Sequence, residues 1–109
     1  MEQAIITKWN KDTKQATISI GHIGSCICTI FNNGKAKVMI VDSVIVNEPK
    51  RRQGYGTKLI KKAINLAREL KVDSIELVVN KDNKIAKRLY EQVGFEKTNK
   101  DYYRFILNK

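Results

Sequence analysis

Apolar and polar residues alternate along the first half of the chain. Four segments rich in Ile, Val, Thr and aromatic residues carry this pattern: AIITKW (4–9), QATISIGH (15–22), SCICTIFN (25–32) and AKVMIVDSVIVN (36–47). This composition and period are typical of β-strands. The breaks between them are turn sequences, NKDTK at 10–14, Gly24 and NNGK at 32–35, and the Asn-Gly pair is a strong hairpin signal. We therefore predict an antiparallel meander of up to four strands.

Beyond Gly56 the apolar residues recur at helical spacing. They are Leu59, Ile60, Ala63, Ile64, Ala67 and Leu70, and polar residues occupy the other faces. The pattern predicts an amphipathic helix of about four turns. A strand, SIELVV (74–79), follows, and then a second helix from about 83 to 93 that ends at Gly94 as its C-cap. FEKT (95–98) and YYRFIL (102–107) are predicted as final strands around a turn at 99–101.

The predicted order is β-β-β-β-α-β-α-β-β, which is a three-layer α+β pattern. We expect a mixed, mostly antiparallel sheet of about six or seven strands flanked by two main helices. At 109 residues the chain is long enough for one domain, spanning 1–109, and too short for two cores.

The charge balance is strongly positive, and the cysteines are few. Twenty-one Lys and Arg against 11 Asp and Glu give a net charge of +10, which favours anionic partners or cofactors but also serves solubility. No amino-terminal signal and no membrane-spanning run is recognised. Cys26 and Cys28 share one strand face, where a disulfide is unfavourable, and one His leaves no zinc set. We expect reduced thiols, no metal and a cytoplasmic protein.

The segment RRQGYGTKLI (51–60) combines cations and glycines at the entry to the first helix. The first turn of a helix has free N–H groups and the positive end of the helix dipole. Glycines at 54 and 56 allow a phosphate to approach the backbone, and Arg51 and Arg52 add permanent positive charge. The junction therefore predicts a pyrophosphate cradle, although glycines also serve tight strand-to-helix turns. It is neither a Walker P-loop nor a dinucleotide fingerprint, because the required Gly-Lys-Ser/Thr ending and third glycine are missing.

Two spaced motifs resemble the GNAT superfamily of N-acetyltransferases. Arg51-x-x-Gly54-x-Gly56, with Val46 five residues before it, is similar to the acetyl-CoA binding motif of that superfamily. Asn83-x-x-Ala86-x-x-x-Tyr90 followed by Gly94-Phe95 is similar to its second motif. The two occur in the expected order and separation, and the resemblance covers roughly residues 38 to 98. It implies a GNAT-like fold and acetyl-CoA as cosubstrate.

The resemblance also implies roles for individual residues. Main-chain groups of Val44, Ile45 and Val46 would pair with the pantetheine arm, and Asn83 and Ala86 would lie near it. Tyr90 would be the general acid that protonates the leaving thiolate, although a core tyrosine is the alternative for this position. The pyrophosphate would bind the main-chain N–H groups of residues 51–57, which are Arg51, Arg52, Gln53, Gly54, Tyr55, Gly56 and Thr57.

A catalytic base is needed if the acceptor amine arrives protonated. Strict alternation along the fourth strand places Val38, Ile40, Asp42, Val44 and Val46 on one face, and thus surrounds Asp42 with apolar residues that would raise its pKa. Asp42 also aligns with an acidic residue often found in the superfamily. Glu48 is the second candidate, at the end of the strand. An ion pair for Asp42 and simple solvation for Glu48 are the alternatives.

The chain departs from the superfamily between its first two strands. Members usually carry two helices there that shape the acceptor pocket, whereas only NKDTKQ separates the strands here. An open acceptor side suits a protein side chain or peptide better than an enclosed small metabolite. Alternatively, a partner subunit, as in a homodimer, completes the site.

Three functions follow from these observations. The leading one is acetyl transfer from acetyl-CoA to a primary amine, either a protein lysine or an amino terminus. The second is a CoA-binding regulatory module with little or no turnover. The third, nucleic-acid binding, is disfavoured because the basic residues are dispersed and no nucleic-acid motif is recognised. No membrane partner is expected.

Overall fold

The computed structural model describes residues 5–32, 34–51, 53–79, 82–98 and 102–107, with the side chains of Ser43 and Tyr102 left aside. Its elements are β1 (Ile5–Asn10), β2 (Gln15–Ile20), β3 (Gly24–Asn32), β4 (Lys37–Val46), a short 3-10 helix (Glu48–Lys50), α1 (Tyr55–Glu69), β5 (Ser74–Val78), α2 (Lys84–Val93), β6 (Glu96–Lys97) and β7 (Tyr102–Ile106). The predicted order of strands and helices is confirmed. Arg52 and the predicted turn at 99–101 lie outside the described residues.

The first four strands form the predicted meander, in which each strand is antiparallel to the next. Local side-chain hydrogen bonds close the turns. The Asn10 carboxamide oxygen accepts from the main-chain N–H of Asp12 at 3.0 Å, and that of Asn32 accepts from Gly34 at 2.8 Å. Gly34 has φ +91°, a left-handed conformation that favours glycine. Turn chemistry readable from the sequence therefore sets this half of the sheet.

Seven strands make one sheet in the order β1-β2-β3-β4-β5-β7-β6. The pairing of β4 with β5 is parallel, because α1 carries the chain back across the sheet between them. β7 then inserts antiparallel between β5 and β6. The expected α+β fold, with a mixed, mostly antiparallel sheet and two main helices, is confirmed.

The core lies between the sheet and α1. Five of the six apolar residues that define the predicted helical stripe are buried, Leu59, Ile60, Ala63, Ile64 and Ala67. They pack in one cluster with alternate residues of the strands, among them Ile18, Cys28, Met39 and Ile75. A helix of 15 residues with a continuous apolar stripe is stabilised mainly by this burial.

Both helices contact the same face of the sheet. α2 lies beside α1 and places Tyr90 against Tyr103 of β7, and Tyr103 belongs to the same buried cluster as the α1 stripe. None of the described helices is long and apolar enough to cross a membrane. The helices thus leave the opposite face of the sheet without a helical cover in the described part of the chain.

A β-bulge in β4 overturns the predicted alternation of that strand. Ser25 pairs with Ile45 and Ile27 with Asp42, so two residues of β4, at positions 43 and 44, stand opposite Cys26 alone. The core-facing residues are therefore Met39 and Val41 before the bulge, and Val44 and Val46 after it. The prediction that Val38, Ile40, Asp42, Val44 and Val46 share one face is wrong, because the extra residue reverses the alternation.

Candidate functional site

The candidate site is built around the junction between β4 and α1. β4 ends at Val46, and the main-chain N–H of Asn47 donates to the carbonyl of Ile23 at 2.8 Å, while the Asn47 carboxamide donates to the carbonyl of His22. These bonds anchor the start of the loop to the turn between β2 and β3. The 3-10 turn that follows is closed by Lys50 N–H on the carbonyl of Asn47 at 2.8 Å. The loop therefore leaves the sheet in one fixed direction.

Two of the predicted cradle residues hold the loop itself. Arg51 Nε donates to the carbonyl of Val46 at 2.9 Å, and Gln53 Nε2 donates to the carbonyl of Pro49 at 3.2 Å. The Arg51 side chain is otherwise exposed and retains its remaining guanidinium donors. Arg51 can thus position the loop and present positive charge at the same time.

The first turn of α1 presents main-chain N–H groups to the exterior. Gly54 is its N-cap with φ +85°, and within the described residues no side chain caps the helix and no acidic residue occurs in its first turn. The N–H groups of Tyr55, Gly56 and Thr57 precede the first main-chain bond of the helix, which Lys58 donates to Gly54 at 3.1 Å. The positive end of the helix dipole is therefore available to an anion.

The two glycines of the motif are required for different structural reasons. Gly54 needs its left-handed conformation, and a Cβ there would meet nothing within 4 Å, so its outer side is open to a ligand. A Cβ on Gly56 would lie 3.0 Å from Leu89 Cδ1 of α2. Gly56 therefore allows α1 and α2 to approach each other, which the sequence motif did not indicate.

The sheet opens between β4 and β5 next to this turn. Their parallel pairing covers only Val38–Val41 against Ser74–Leu77, whereas β4 continues for five more residues to Val46. On its other edge this end of β4 pairs with β3. Ile45 and Val78 are both highly exposed here, 55% and 65%. The end of β4 therefore presents a strand edge to which an extended ligand arm can be added.

Asn83 and Ala86 of the second motif form the cap of α2. Asn83 is the N-cap residue, and its Oδ1 accepts from the main-chain N–H of Ala86 at 3.1 Å. The spacing Asn83-x-x-Ala86 therefore has a structural reason, which is the bond from the cap to the third residue of the helix. The Nδ2 group of Asn83 is not used in this bond, so the residue can also contact a ligand.

Tyr90 lies in an aromatic cluster under the opening of the sheet. Its side chain is only 6% exposed, and its ring centroid is 6.1 Å from that of Phe95 and 6.2 Å from that of Tyr103. Burial, and secondarily the neighbouring Cys26, raise the pKa of Tyr90 above its ordinary value. Cys26 is opposite the bulge of β4, and Tyr103 pairs with Leu77 at the end of the β4–β5 ladder. The phenol therefore stays protonated at neutral pH, as a proton donor requires.

The two candidate bases are both on the surface. Asp42 and Glu48 are exposed, and the apolar enclosure expected around Asp42 is absent among the described residues. The bulge explains this difference, because Asp42 and the core residues after it are on opposite faces of β4. Neither carboxylate is brought against Tyr90 by a described contact.

Two residues near the site, Glu91 and Tyr103, were not predicted from the sequence. Tyr103 donates a hydrogen bond from its hydroxyl to Glu91 Oε1 at 2.7 Å, and its ring packs edge-on against Tyr90. This pair links α2 to β7 directly behind the candidate acid. No local pattern indicated it, because residues 91 and 103 meet only after β7 inserts beside β5.

Comparison with known proteins shows the family of this chain. The profile described as the Acetyltransferase (GNAT) family matches residues 5–95. N-alpha-acetyltransferase 30 of Xenopus laevis is 35% identical over 92 residues, which are 79% of this chain and 32% of that protein. This chain therefore spans about a third of that relative.

Solved structures share the fold. A GNAT acetyltransferase from Staphylococcus aureus superposes with a TM-score of 0.73 at 18% identity, covering 89% of this chain and 70% of that one. The matching chain in the NatC complex bound to Gag peptide and CoA superposes with a TM-score of 0.72 at 20% identity, covering 87% and 70%. The fold and the site thus define a GNAT-type acetyltransferase domain. The chain belongs to the GNAT acetyltransferase family.

Proposed function

We propose that this chain is an acetyl-CoA-dependent N-acetyltransferase that acts on a primary amine of a protein, an amino terminus or a lysine. One observation carries the proposal. The open edge of β4 lies between an uncapped helix terminus and a buried, protonated tyrosine. A cosubstrate with a diphosphate, an extended amide arm and a thioester matches these three features in the same order. Family membership supports this assignment.

The chain would hold the cosubstrate mainly through its backbone. The N–H groups of the loop and first turn, residues 53–57, would receive the diphosphate, with the Arg51 guanidinium beside them. The N–H of Arg51, which the sequence motif also implied, instead donates to the carbonyl of Glu48 at 3.2 Å. Arg52, whose side chain is proposed to assist, lies outside the described residues. The edge of Val44, Ile45 and Val46 would pair with the amide arm as an added strand. Asn83 and Ala86 would flank the arm from the start of α2.

The proposed reaction is direct transfer. The neutral amine attacks the thioester carbonyl, and an N–H of β4 polarises the carbonyl oxygen as negative charge develops on it. The carbon–sulfur bond breaks, and Tyr90 donates its phenolic proton to the leaving thiolate. The attacking nitrogen loses its proton to water or to an exposed carboxylate. The two candidate carboxylates are Asp42 of β4 and Glu48, which follows β4.

An accessible acceptor side supports a protein amine as substrate. A four-residue turn, 11–14, joins β1 to β2, so this connection contributes no helix over the site. A structural neighbour was solved with both a peptide and CoA, which supports the same type of acceptor for this chain. We further propose that residues 1–109 work as one domain. The free, buried Cys26 and Cys28 accord with the reducing conditions of the cytoplasm.

The test is release of free thiol from acetyl-CoA in the presence of amines and peptides with free or blocked amino termini. We expect turnover with peptide amines and loss of about 10²–10³ in kcat for Tyr90→Phe. Binding is followed separately, as the rise in melting temperature caused by CoA. CoA should stabilise both proteins equally, because the phenylalanine ring preserves the packing.

Two outcomes would reject the proposal in different ways. If CoA stabilises the protein but no acceptor gives turnover, the chain is a CoA-binding module. If CoA does not raise the melting temperature at all, the assignment of the cosubstrate is wrong.

A further inference from the structure

The sheet face opposite the helices has an apolar surface. Five of the seven large apolar side chains that are strongly exposed in the described residues, Ile6, Phe31, Ile45, Val78 and Ile106, alternate with core residues and thus point to this face. Ile6 on β1 and Ile45 on β4 are about equally exposed, 51% and 55%. Exposed apolar residues grouped on one face indicate an interaction surface.

Two rows of residues across β1–β4 on this face are self-complementary. In the first row, the strand register aligns Ile6, Ser19, Ser25 and Ile45 in that order. The second row aligns Lys8, Thr17, Ile27 and Asp42. When the order of the strands is reversed, the first row has the same residue type at every position. In the second row, the reversal places the anion where the cation was and the cation where the anion was. An interface between two identical chains requires this relationship, because residue i must meet residue j in both directions.

Lys8 and Asp42 of the same chain are too far apart to form an ion pair. They are separated by three strand spacings, which is roughly 14 Å. Both are exposed, and they are the only charged residues that β1–β4 carry on this face in the described part of the chain. We propose that two copies of this chain pack sheet to sheet about a two-fold axis that runs between β2 and β3. Lys8 of each copy then faces Asp42 of the other, and Ile6 faces Ile45. In such a dimer Asp42 has the ion-pair role, and water or Glu48 would take the proton of the attacking amine.

The distribution of charge permits this association. Seven of the 21 Lys and Arg residues are on the two helices, away from this face: Lys58, Lys61, Lys62 and Arg68 on α1, and Lys84, Lys87 and Arg88 on α2. The proposed interface, in contrast, has one cation and one anion from β1–β4. The contact made by β1–β4 therefore has no net charge to oppose association. Aligned sheets pack about 10 Å apart with interleaved side chains.

The test is the mass of the protein in solution, measured by light scattering and sedimentation across about a hundredfold range of concentration. We expect a reversible dimer. Lys8→Asp and Asp42→Lys should each raise the dissociation constant by about tenfold or more, because each places like charges face to face. The double variant restores opposite charges and should recover most of the affinity. Mass, not turnover, is the readout, so the result does not depend on the proposed activity.

Matched controls make the same charge changes off the interface. Lys11→Asp and Asp12→Lys lie in the exposed turn between β1 and β2 and should leave the dimer unchanged. Ile6→Ser, which keeps the charges, should also weaken the dimer. Circular dichroism and melting confirm that each variant is folded.

A protein that is monomeric throughout overturns the proposal and leaves the face open to another protein. A dimer that is insensitive to Lys8→Asp, or a double variant that is not restored, overturns the assigned pairing.

Discussion

Arg51 Nε donates a hydrogen bond to the main-chain carbonyl of Val46 at 2.9 Å. The bond joins the first residue after the 3-10 turn to the last residue of β4, and it therefore closes the loop that precedes α1. The residue expected to attract phosphate by its charge also determines the position of the N–H groups that would bind it. Charge and geometry at this residue can be separated by substitution.

Arg51→Ala should lower the affinity for CoA by about tenfold or more, because hydrogen bonds of charged groups are worth about 1.5–3 kcal/mol. Arg51→Lys keeps the charge but has no Nε–H in the required place, so it should recover less than half of the lost binding energy. Calorimetric titration with CoA measures both. Arg68→Ala, which removes an exposed cation at the far end of α1, is the control and should change little. Full recovery with lysine would show that Arg51 acts through charge alone.

Tyr90 should control the alkaline limb of the rate profile. A general acid must be protonated to act, and because burial raises the pKa of Tyr90, protonation persists above the ordinary tyrosine value of about 10. We expect kcat to remain on its plateau through about pH 10 and to fall only above it. The limb should be absent in Tyr90→Phe, whose kcat is low throughout. The same limb in both proteins, with the fold intact by circular dichroism, would contradict this role.

Substitution of Asn83 should separate helix capping from ligand contact. Asn83→Ala removes the bond to the Ala86 N–H and should cost about 1 kcal/mol of unfolding free energy. Asn83→Asp keeps a capping oxygen and should preserve stability. If the Nδ2 group contacts the cosubstrate, the aspartate variant will nevertheless bind CoA more weakly. Urea denaturation and CoA titration of both variants measure the two effects. If the aspartate variant binds CoA with unchanged affinity, Asn83 only caps α2 and does not contact the cosubstrate.

Gly24 should tolerate no side chain. A Cβ there would lie 2.6 Å from the carbonyl oxygen of Ile45, so the backbone at the open end of β4 would have to move. Gly24→Ala should therefore destabilise the fold by about 2 kcal/mol or more and weaken CoA binding as well. Gly34→Ala is a suitable comparison, because its left-handed φ costs about 1–2 kcal/mol without a steric contact. Equal losses of stability in the two variants would contradict the role of the contact with Ile45.

The elements of this fold were predictable because their signals are local. The helical stripe of α1 and the turns at Asn10 and Asn32 depend on residues within a few positions of one another. The alternation of β2 and β3 matched the core for the same reason. The alternation of β4 did not, since its bulge is defined by the register against β3, a strand whose partner residues are distant in the sequence.

The candidate site was predictable in part. Arg51, Gly54 and Asn83 lie at the helix starts that the sequence predicted, and each has a local structural function. The reason for Gly56 was not visible, because its neighbour Leu89 is 33 positions away in the sequence and on another helix. The exposure of Asp42 was missed for the same kind of reason.

By itself, the sequence determined the type and order of the elements, the excess of positive charge and the residues that surround the first turn of α1. These follow from periodicity, composition and turn chemistry, which act over short distances along the chain. Only the tertiary structure decided the bulge of β4, the opening between β4 and β5, the aromatic contacts of Tyr90 with Phe95 and Tyr103, and the sheet face on which Lys8 and Asp42 align. Register, packing and the insertion of β7 join residues that are distant in sequence, and no local pattern records such a meeting.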